Sequence, residues 1–419
     1  MDVPAAPSKV YRFKPAPREK SQLLCFSHLR WNFVFQRPQH ILTAASHHYD
    51  VFFIEEPRFE HGCGAHLDVQ EVAPSLTIVT PVLPEGLNPN EVCVMLRSLM
   101  HVLFGAKPAG QRIKWFYTPM ALEFTNDIEA DLTVYDCMDE LSAFRGAPAN
   151  LSCLEHKLMQ EAGLMFAGGR SLFEAKMNQH DNVHCFPSSI DAAHFGKARA
   201  GALADPADQQ EIPHPRVGFF GVIDERLDAD LLRQAAAART DLQFIMLGPV
   251  VKIEPASLPR LSNIHWLGQK AYADLPAYLA HWDLGFMPFA INEATRFISP
   301  TKTPEFLSAG LPVVSTPVRD VVAEYGEAKL VAIASSASDL TAEIDKLLAM
   351  DREPWLERVD EKLKSMSWAA TWSAMNALIA KALRQGRAGA SRHAHLAPSQ
   401  VGRPDVEVVH LARASSRPS

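Results

Sequence analysis

Cysteine is scarce, and the spacing of the cysteines is not that of a disulfide framework or a metal site. The six cysteines all lie in the first half of the chain and include no CxxC pair. No histidine and cysteine residues stand at the spacing of a zinc site. We interpret the six as reduced thiols with a structural role, which argues against a disulfide-stapled domain.

Long apolar runs and excess positive charge are also lacking. No segment reaches the roughly 20 apolar residues that a membrane span needs, and the first residues carry charges where a signal peptide would be apolar. We therefore expect a cytoplasmic protein. The formal net charge of −7 argues against a general nucleic-acid binder. Both ends are basic, however, and would either be solvated tails or touch an anionic membrane surface at the inner face of the membrane.

A chain of 419 residues, 47% of them apolar, exceeds what one core usually fills. The pattern predicts a disordered basic tail over 1–20, an N-terminal domain over 21–195 and a linker over 196–215. A C-terminal domain over 216–352, helices over 353–385 and a disordered tail over 386–419 follow.

Short apolar runs alternate with helical stretches in both halves, which predicts α/β domains with parallel sheets. The predicted strands of the first half are 23–27, 51–55, 76–80, 114–118, 132–135, 164–167 and 183–186. Those of the second half are 216–221, 243–247, 264–267, 284–288, 312–315 and 330–333. Two doubly wound, Rossmann-like domains would face each other across a cleft, with ligands at the carboxyl ends of the strands.

Glycines and cations follow the strands of the C-terminal half. Gly221 ends the first of them, and Arg226 stands just before the next helix. Gly248 and Lys252 follow the second strand, and Gly268 follows the third. Such glycines let backbone approach a phosphate, to which a helix N-terminus adds partial positive charge. The alternative is that Gly221 only makes a tight turn and Arg226 lies on the surface.

The segment NEATRFISPTKTPEFLSAGLPVVSTP is the densest group of candidate residues. Lys302 lies near the start of a predicted helix, where a cation opposes the macrodipole, so it indicates an anionic ligand. Glu305 follows one turn later, where a carboxylate would accept hydrogen bonds from a ribose diol. The alternative is a surface ion pair between these two residues, worth almost nothing.

The run from Arg216 to Pro317 resembles the donor-binding domain of GT-B glycosyltransferases, with spacing similar to bacterial mannosyl- and glucosyltransferases. The resemblance implies that Gly221, Arg226 and Lys302 face a diphosphate, the loop after Gly268 faces the base, and Glu305 faces the ribose. Many members carry a further glutamate eight residues before the last one, where this chain has Phe297. The donor sugar and the retaining mechanism usual in that family therefore stay open.

The N-terminal half supplies candidates for the acceptor and the chemistry. The loop CFSHLRWNFVFQRPQH resembles the start of polysaccharide transferases of the teichuronic-acid type, which implies acceptor contacts by His28, Arg30, Trp31 and Arg37. Trp31 would otherwise be a core residue and Arg37 a surface charge.

The segment VYDCMDE follows a predicted strand and offers carboxylates as the base of an inverting transfer. Asp139 is the first choice and Asp136 the second, although either would also serve as a helix cap. In a retaining transfer the leaving phosphate would take the proton instead.

These features together predict a glycosyltransferase that moves a sugar from a nucleotide-sugar, with UDP as the expected nucleotide, to a saccharide or lipid-linked acceptor. No DxD carboxylate pair ends a strand of the second half, so we expect a metal-independent site without a cofactor. A sugar-nucleotide epimerase or phosphorylase of the same architecture and a non-catalytic scaffold are the alternatives.

Overall fold

The computed structural model describes residues 20–395, with side chains described as far as residue 385. Most of the two tails predicted over 1–20 and 386–419 lies outside the described residues, namely residues 1–19 and 396–419. Within 20–395, no helix is both long and apolar enough to cross a membrane.

The N-terminal domain is built on a nine-stranded sheet. Its strands are β1 (Gln22–Ser27), β2 (Asp50–Glu55), β3 (Arg58–Glu60), β4 (His66–Ala73), β5 (Leu76–Pro84), β6 (Arg112–Phe116), β7 (Leu132–Cys137), β8 (Leu164–Ala167) and β9 (Val183–Cys185). Its helices are α1 (Arg37–Ala45), α2 (Pro89–Phe104), α3 (Leu122–Thr125), α4 (Leu151–Glu161) and α5 (Arg170–Lys176). The order is β3-β5-β2-β1-β6-β7-β8-β9, and every pair along it is parallel.

Strand β1 is central because its apolar run is buried on both faces, as parallel strands covered by helices require. The sequence did not predict β3 and β4. Strand β4 pairs antiparallel with β5 at the edge of the sheet, and none of its residues is buried, so it lacks the apolar run that marks the other strands. The partner strand β5 is longer than predicted and ends at Pro84.

The C-terminal domain holds a six-stranded parallel sheet in the order β12-β11-β10-β13-β14-β15. The strands are β10 (Arg216–Phe220), β11 (Gln243–Leu247), β12 (Ile264–Gly268), β13 (Leu284–Met287), β14 (Val313–Ser315) and β15 (Val331–Ile333). The helices are α6 (Ala192–Phe195) before the sheet, then α7 (Ala229–Ala238), α8 (Leu275–Leu279), α9 (Lys302–Ser308), α10 (Arg319–Val321), α11 (Ala337–Leu348) and α12 (Arg352–Leu363). All six predicted strands are present, and β10 lies at the switch point where the strand order reverses.

The predicted linker 196–215 is held against the C-terminal domain. Asp205 pairs with the buried Arg216 at 2.7 Å. The side chain of Gln209 is fully buried and accepts a hydrogen bond from the indole of Trp282 at 2.9 Å. Polar side chains that find buried partners order this segment, although its composition is typical of a loop.

The last helix, α13 (Trp368–His395), leaves the C-terminal domain and packs on the N-terminal one. Trp368, Trp372, Met375 and Ile379 are buried in the same apolar cluster as β1 and β6. The predicted end at residue 385 is wrong, because the helix continues for another ten residues through a segment rich in alanine and arginine, both good helix formers.

Candidate active site

A cavity of about 580 Å³ lies between the two domains. One wall is the loop after β1, from Trp31 to Phe35, and the other is formed by the carboxyl ends of β10, β11 and β12 with the loops that follow them. A smaller cavity of about 120 Å³ adjoins it and shares Val34, Gly221 and Lys302 with it. The predicted strand ends therefore do converge on one cleft.

Two glycines let neighbouring loops of the C-terminal domain approach closely at the cavity floor. Gly221 donates to the carbonyl of Leu247 at 2.9 Å, and Gly248 donates to the carbonyl of Gly268 at 2.9 Å. Both Gly221 and Gly248 have a φ of 146°, and a Cβ on Gly248 would stand 1.7 Å from the carbonyl oxygen of Gly221. Only glycine fits there, so the floor presents bare backbone to a ligand.

Lys302 begins α9 and lines both cavities. Its Nζ donates to Thr301 Oγ1 at 3.0 Å and lies 5.8 Å from the centre of the Phe220 ring. No carboxylate within the described residues lies at ion-pair distance, so the predicted surface pair with Glu305 is not formed. Burial lowers the pKa of Lys302, and Glu305 offsets this only in part. A cation without a counter-ion at a helix N-terminus favours an anionic ligand.

Glu305 lies one turn along α9, is 7% exposed and lines the larger cavity. Its Oε2 is buried and finds no hydrogen-bond partner anywhere in residues 20–395. Burial raises the pKa of Glu305 to about 7, against the opposing effect of Lys302. A ligand that brought hydroxyl donors would satisfy this carboxylate and favour its ionised form.

The other predicted donor residues fall in different places. Gly268 ends β12, and the loop after it, from Gln269 to Tyr272, lines the larger cavity as expected. Arg226 lines the smaller cavity, with its guanidinium bound to Asp224 at 2.7 Å. Lys252 is exposed and lies outside both cavity walls; its Nζ stands 5.4 Å from the centre of the Phe144 ring. Arg226 lies over the same ring, so Lys252 lies beside the smaller cavity rather than in its wall.

The loop after β1 contributes less than predicted. Trp31 lines the larger cavity. Arg30 does not, because its guanidinium is held by Glu55 at 3.0 Å and by two backbone carbonyls. His28 Nδ1 is buried, and the described chain offers it no partner. Burial lowers the pKa of His28 despite the charge of Asp139, so the imidazole is neutral at pH 7.

Asp136 and Arg37 form a buried ion pair. Both carboxylate oxygens of Asp136 accept from Arg37, at 2.9 and 3.1 Å, and Asp136 has no exposed surface. Arg37 also donates to the carbonyl of Phe186 at 2.8 Å. Asp136 as a catalytic base is thus corrected, because Arg37 occupies both of its oxygens. Arg37 itself lines the smaller cavity, so its contact with an acceptor stays a prediction.

Asp139 lines the smaller cavity opposite Lys302. Its carboxylate forms no hydrogen bond or ion pair with any residue between 20 and 395, and its charge acts on His28, Arg226 and Lys302. The backbone holds it in place, since its carbonyl accepts from the Cys137 thiol at 3.5 Å. Of the two predicted carboxylates, only Asp139 is available to a ligand.

Contacts between the domains keep the cleft narrow. Ser188 Oγ donates to the carbonyl of Ser299 at 3.0 Å, and Ser171 donates to Asp320 through both its amide and its hydroxyl. Asp320 thereby caps α5, whose own N-cap residue is Gly169. Phe297 packs against an apolar cluster of the N-terminal domain, which is a role that a glutamate would not fill.

Two residues of the larger cavity were missed by sequence reasoning. Phe35 and Tyr272 come from opposite domains and stack with ring centres 4.5 Å apart and an interplanar angle of 29°. Phe35 is one of three aromatics in the segment WNFVF, and Tyr272 stands in a short loop after β12, so no local pattern singles out either one.

Comparison with known proteins agrees with this geometry. Residues 214–350 match the family described as "Glycosyl transferases group 1". A protein of Bacillus subtilis (strain 168), named as a teichuronic acid biosynthesis glycosyltransferase, is 26% identical over 238 residues. That match covers 53% of this chain and 59% of the relative.

Solved structures share the fold across most of the chain. An α,α-trehalose-phosphate synthase (UDP-forming) from Burkholderia vietnamiensis superposes with a TM-score of 0.63 at 12% identity, covering 88% of this chain and 99% of its own. Sucrose-phosphate synthase from Thermosynechococcus elongatus gives 0.63 at 14% identity, covering 86% and 98%. The Anabaena protein HepE in complex with UDP gives 0.58 at 12% identity, covering 86% and 100%.

The architecture is therefore GT-B, two Rossmann-like domains facing across a cleft, as the sequence predicted. Residues 214–350 match the group 1 glycosyltransferase family, and the predicted resemblance to that family is confirmed.

Proposed function

We propose that the protein is a glycosyltransferase that moves a sugar from a nucleotide diphosphate sugar to a saccharide or lipid-linked acceptor in cell-surface polysaccharide synthesis. The observation that carries the proposal is that Lys302 and Glu305 both lie on the first turn of α9 without forming an ion pair. One is a cation without a counter-ion, the other a buried carboxylate without a partner within the described chain, and both face the same cavity.

The two residues match the two polar parts of a nucleoside diphosphate. Lys302 and the amides that open α9 would hold phosphate oxygens, over the bare backbone of Gly221. Glu305 would accept hydrogen bonds from the ribose, and the backbone from Gln269 to Ala271 would face the base. UDP is the proposed nucleotide, because structural neighbours include a UDP-forming synthase and a complex with UDP.

Transfer requires stabilisation of the charge that develops on the leaving diphosphate. Lys302 and Arg226 both line the smaller cavity, and α9 begins at Lys302, so we propose that these groups stabilise this charge without a divalent ion. Closing the domains would bring donor and acceptor together and exclude water.

Asp139 is the proposed base of an inverting transfer. Its free carboxylate would take the proton of the acceptor hydroxyl as that oxygen bonds to the anomeric carbon and the diphosphate leaves. In a retaining transfer a phosphate oxygen of the leaving group would take the same proton. Comparing the anomeric configuration of donor and product by nuclear magnetic resonance distinguishes the two.

The acceptor and its location complete the proposal. The relative named for teichuronic acid biosynthesis suggests a saccharide or lipid-linked acceptor of cell-surface polysaccharide. Peripheral contact with the inner face of the membrane is proposed for the basic terminal segments, where arginine and lysine favour anionic lipid. Flotation with vesicles of zwitterionic or anionic lipid tests this contact.

Calorimetric titration with UDP, GDP, dTDP and ADP tests the donor site. We expect one nucleotide to bind selectively, with EDTA making no difference, and Lys302→Ala to weaken its binding about tenfold or more, since a charged hydrogen bond is lost. Lys346→Ala is the matched control, because Lys346 is an exposed lysine of the same domain, on α11. If none of the four nucleotides binds, the proposed function is wrong.

A further inference from the structure

Tyr272 occupies an unusual position in the loop between β12 and α8. Its ring lies between Phe35, at 4.5 Å and 29°, and His194, at 4.3 Å and 11°. The backbone carbonyl of Tyr272 also accepts a hydrogen bond from His194 Nε2 at 2.9 Å. Stacking on both faces fixes the ring and therefore the direction of its hydroxyl.

The hydroxyl of Tyr272 is buried and lacks a partner among residues 20–395, although a buried tyrosine O–H normally finds one. Oε2 of Glu305 is buried and unpartnered in the same way, and both residues line the larger cavity. The negative charge of Glu305 acts on Tyr272, which indicates that the two groups are near each other. One of them is a hydrogen-bond donor and the other an acceptor.

We propose that Tyr272 and Glu305 together read the vicinal diol of a ribonucleotide, so that Tyr272 is a specificity-determining residue. Glu305 accepts from one ribose hydroxyl, and the Tyr272 O–H donates to the oxygen of the other. A deoxyribose leaves one of these buried groups unpaired, which a polar site penalises strongly. The inference rests on the proposed nucleotide site and adds a preference for ribose over deoxyribose.

The N-terminal domain takes part in this selection through Phe35. Phe35 belongs to the loop after β1, and its ring covers one face of Tyr272. The Gln269 side chain also donates to the carbonyl of Phe33, which ties the same two loops together. The proposed diol-binding site of Tyr272 and Glu305 is therefore complete only while the cleft is closed.

The experiment compares wild type with Tyr272→Phe, which keeps the stacked ring and removes only the hydroxyl. Tyr278→Phe is the matched control, because its hydroxyl donates to Asp208 at 2.7 Å, away from the cavity. UDP, GDP and ADP are titrated first, and the tightest binder is then compared with its 2′-deoxy and 3′-deoxy forms.

Wild type should bind each deoxy form about tenfold or more weakly than the ribonucleotide, since a buried group loses its partner. Tyr272→Phe should bind the ribonucleotide about five- to tenfold more weakly and should lose the penalty for one of the two deoxy forms. Tyr278→Phe should keep both penalties.

The outcomes separate this inference from the proposed function. If no nucleotide binds to wild type, the proposed function fails. If a nucleotide binds and Tyr272→Phe retains both penalties at wild-type size, the nucleotide site stands and the role of Tyr272 is refuted.

Discussion

Gly248 and Gly268 end neighbouring strands of the C-terminal sheet and provide a sharp test of the cavity floor. Both have positive φ, 146° and 72°, so alanine is strained at either position. A Cβ on Gly268 would meet no atom within 4 Å, whereas one on Gly248 would stand 1.7 Å from the carbonyl oxygen of Gly221. Both substitutions therefore strain the backbone, but only Gly248→Ala also places a side chain where the two loops approach closely.

Gly268→Ala should cost about 1–2 kcal/mol, the usual cost of a left-handed residue with a side chain. Gly248→Ala must widen the gap from 1.7 Å to at least 3.0 Å. The backbone of Gly221 resists this shift because its amide donates a hydrogen bond to the carbonyl of Leu247 at 2.9 Å. We expect a loss of more than about 4 kcal/mol, in the range that marks an identifiable structural defect.

Urea unfolding of the two variants measures both costs, and nucleotide titration shows whether the floor survives. The expected result is a large loss of stability and of binding for Gly248→Ala only. Equal losses of stability in the two variants would refute the argument that the loops meet too closely for a side chain.

Four further predictions concern carboxylates of the cleft and the contact between the domains. Burial raises the pKa of Glu305 to about 7, so nucleotide affinity should rise with pH through that value as the carboxylate ionises. In Glu305→Gln, titrations at a series of pH values should not show this rise. Asp136→Asn should lower the free energy of unfolding by about 3–5 kcal/mol in urea, because Arg37 keeps a buried charge without its partner. Asp139→Asn should instead leave unfolding unchanged and slow an inverting transfer by about 100-fold or more, and an unchanged rate would remove it as the base. Asp320→Ala should open the cleft, seen as a larger radius of gyration in X-ray scattering; an unchanged radius would show that the other contacts suffice.

The strands were predictable because buried parallel strands are continuous apolar runs. The strands Leu23–Ser27 and Gln243–Leu247 were predicted from such runs. The first falls within β1, and the second coincides with β11. Strand β4 was not predicted because it lies at an edge of the sheet and buries none of its residues. The predicted helix end at residue 385 was wrong, because alanines and arginines continue α13 to His395.

The site was predictable where function depends on position relative to a strand. Gly221, Lys302 and Glu305 follow strand ends that must meet at one edge of the sheet, so their order along the chain sufficed. Arg37 and Asp136 are 99 residues apart, and nothing in either segment shows that each is the other's partner. The sequence alone therefore does not distinguish a charged residue that forms a buried ion pair from one that is available to a ligand. That distinction depends on contacts between distant segments.

The return of α13 to the N-terminal domain makes that domain discontinuous along the chain. Trp368, Trp372, Met375, Ile379 and Leu383 of this helix complete an apolar cluster whose other buried members come from residues before 170. A fragment ending near residue 195 would expose the surface that these side chains cover and would be prone to aggregate. Any chimera that exchanges the donor domain must therefore splice at two points and carry the final helix with the first half.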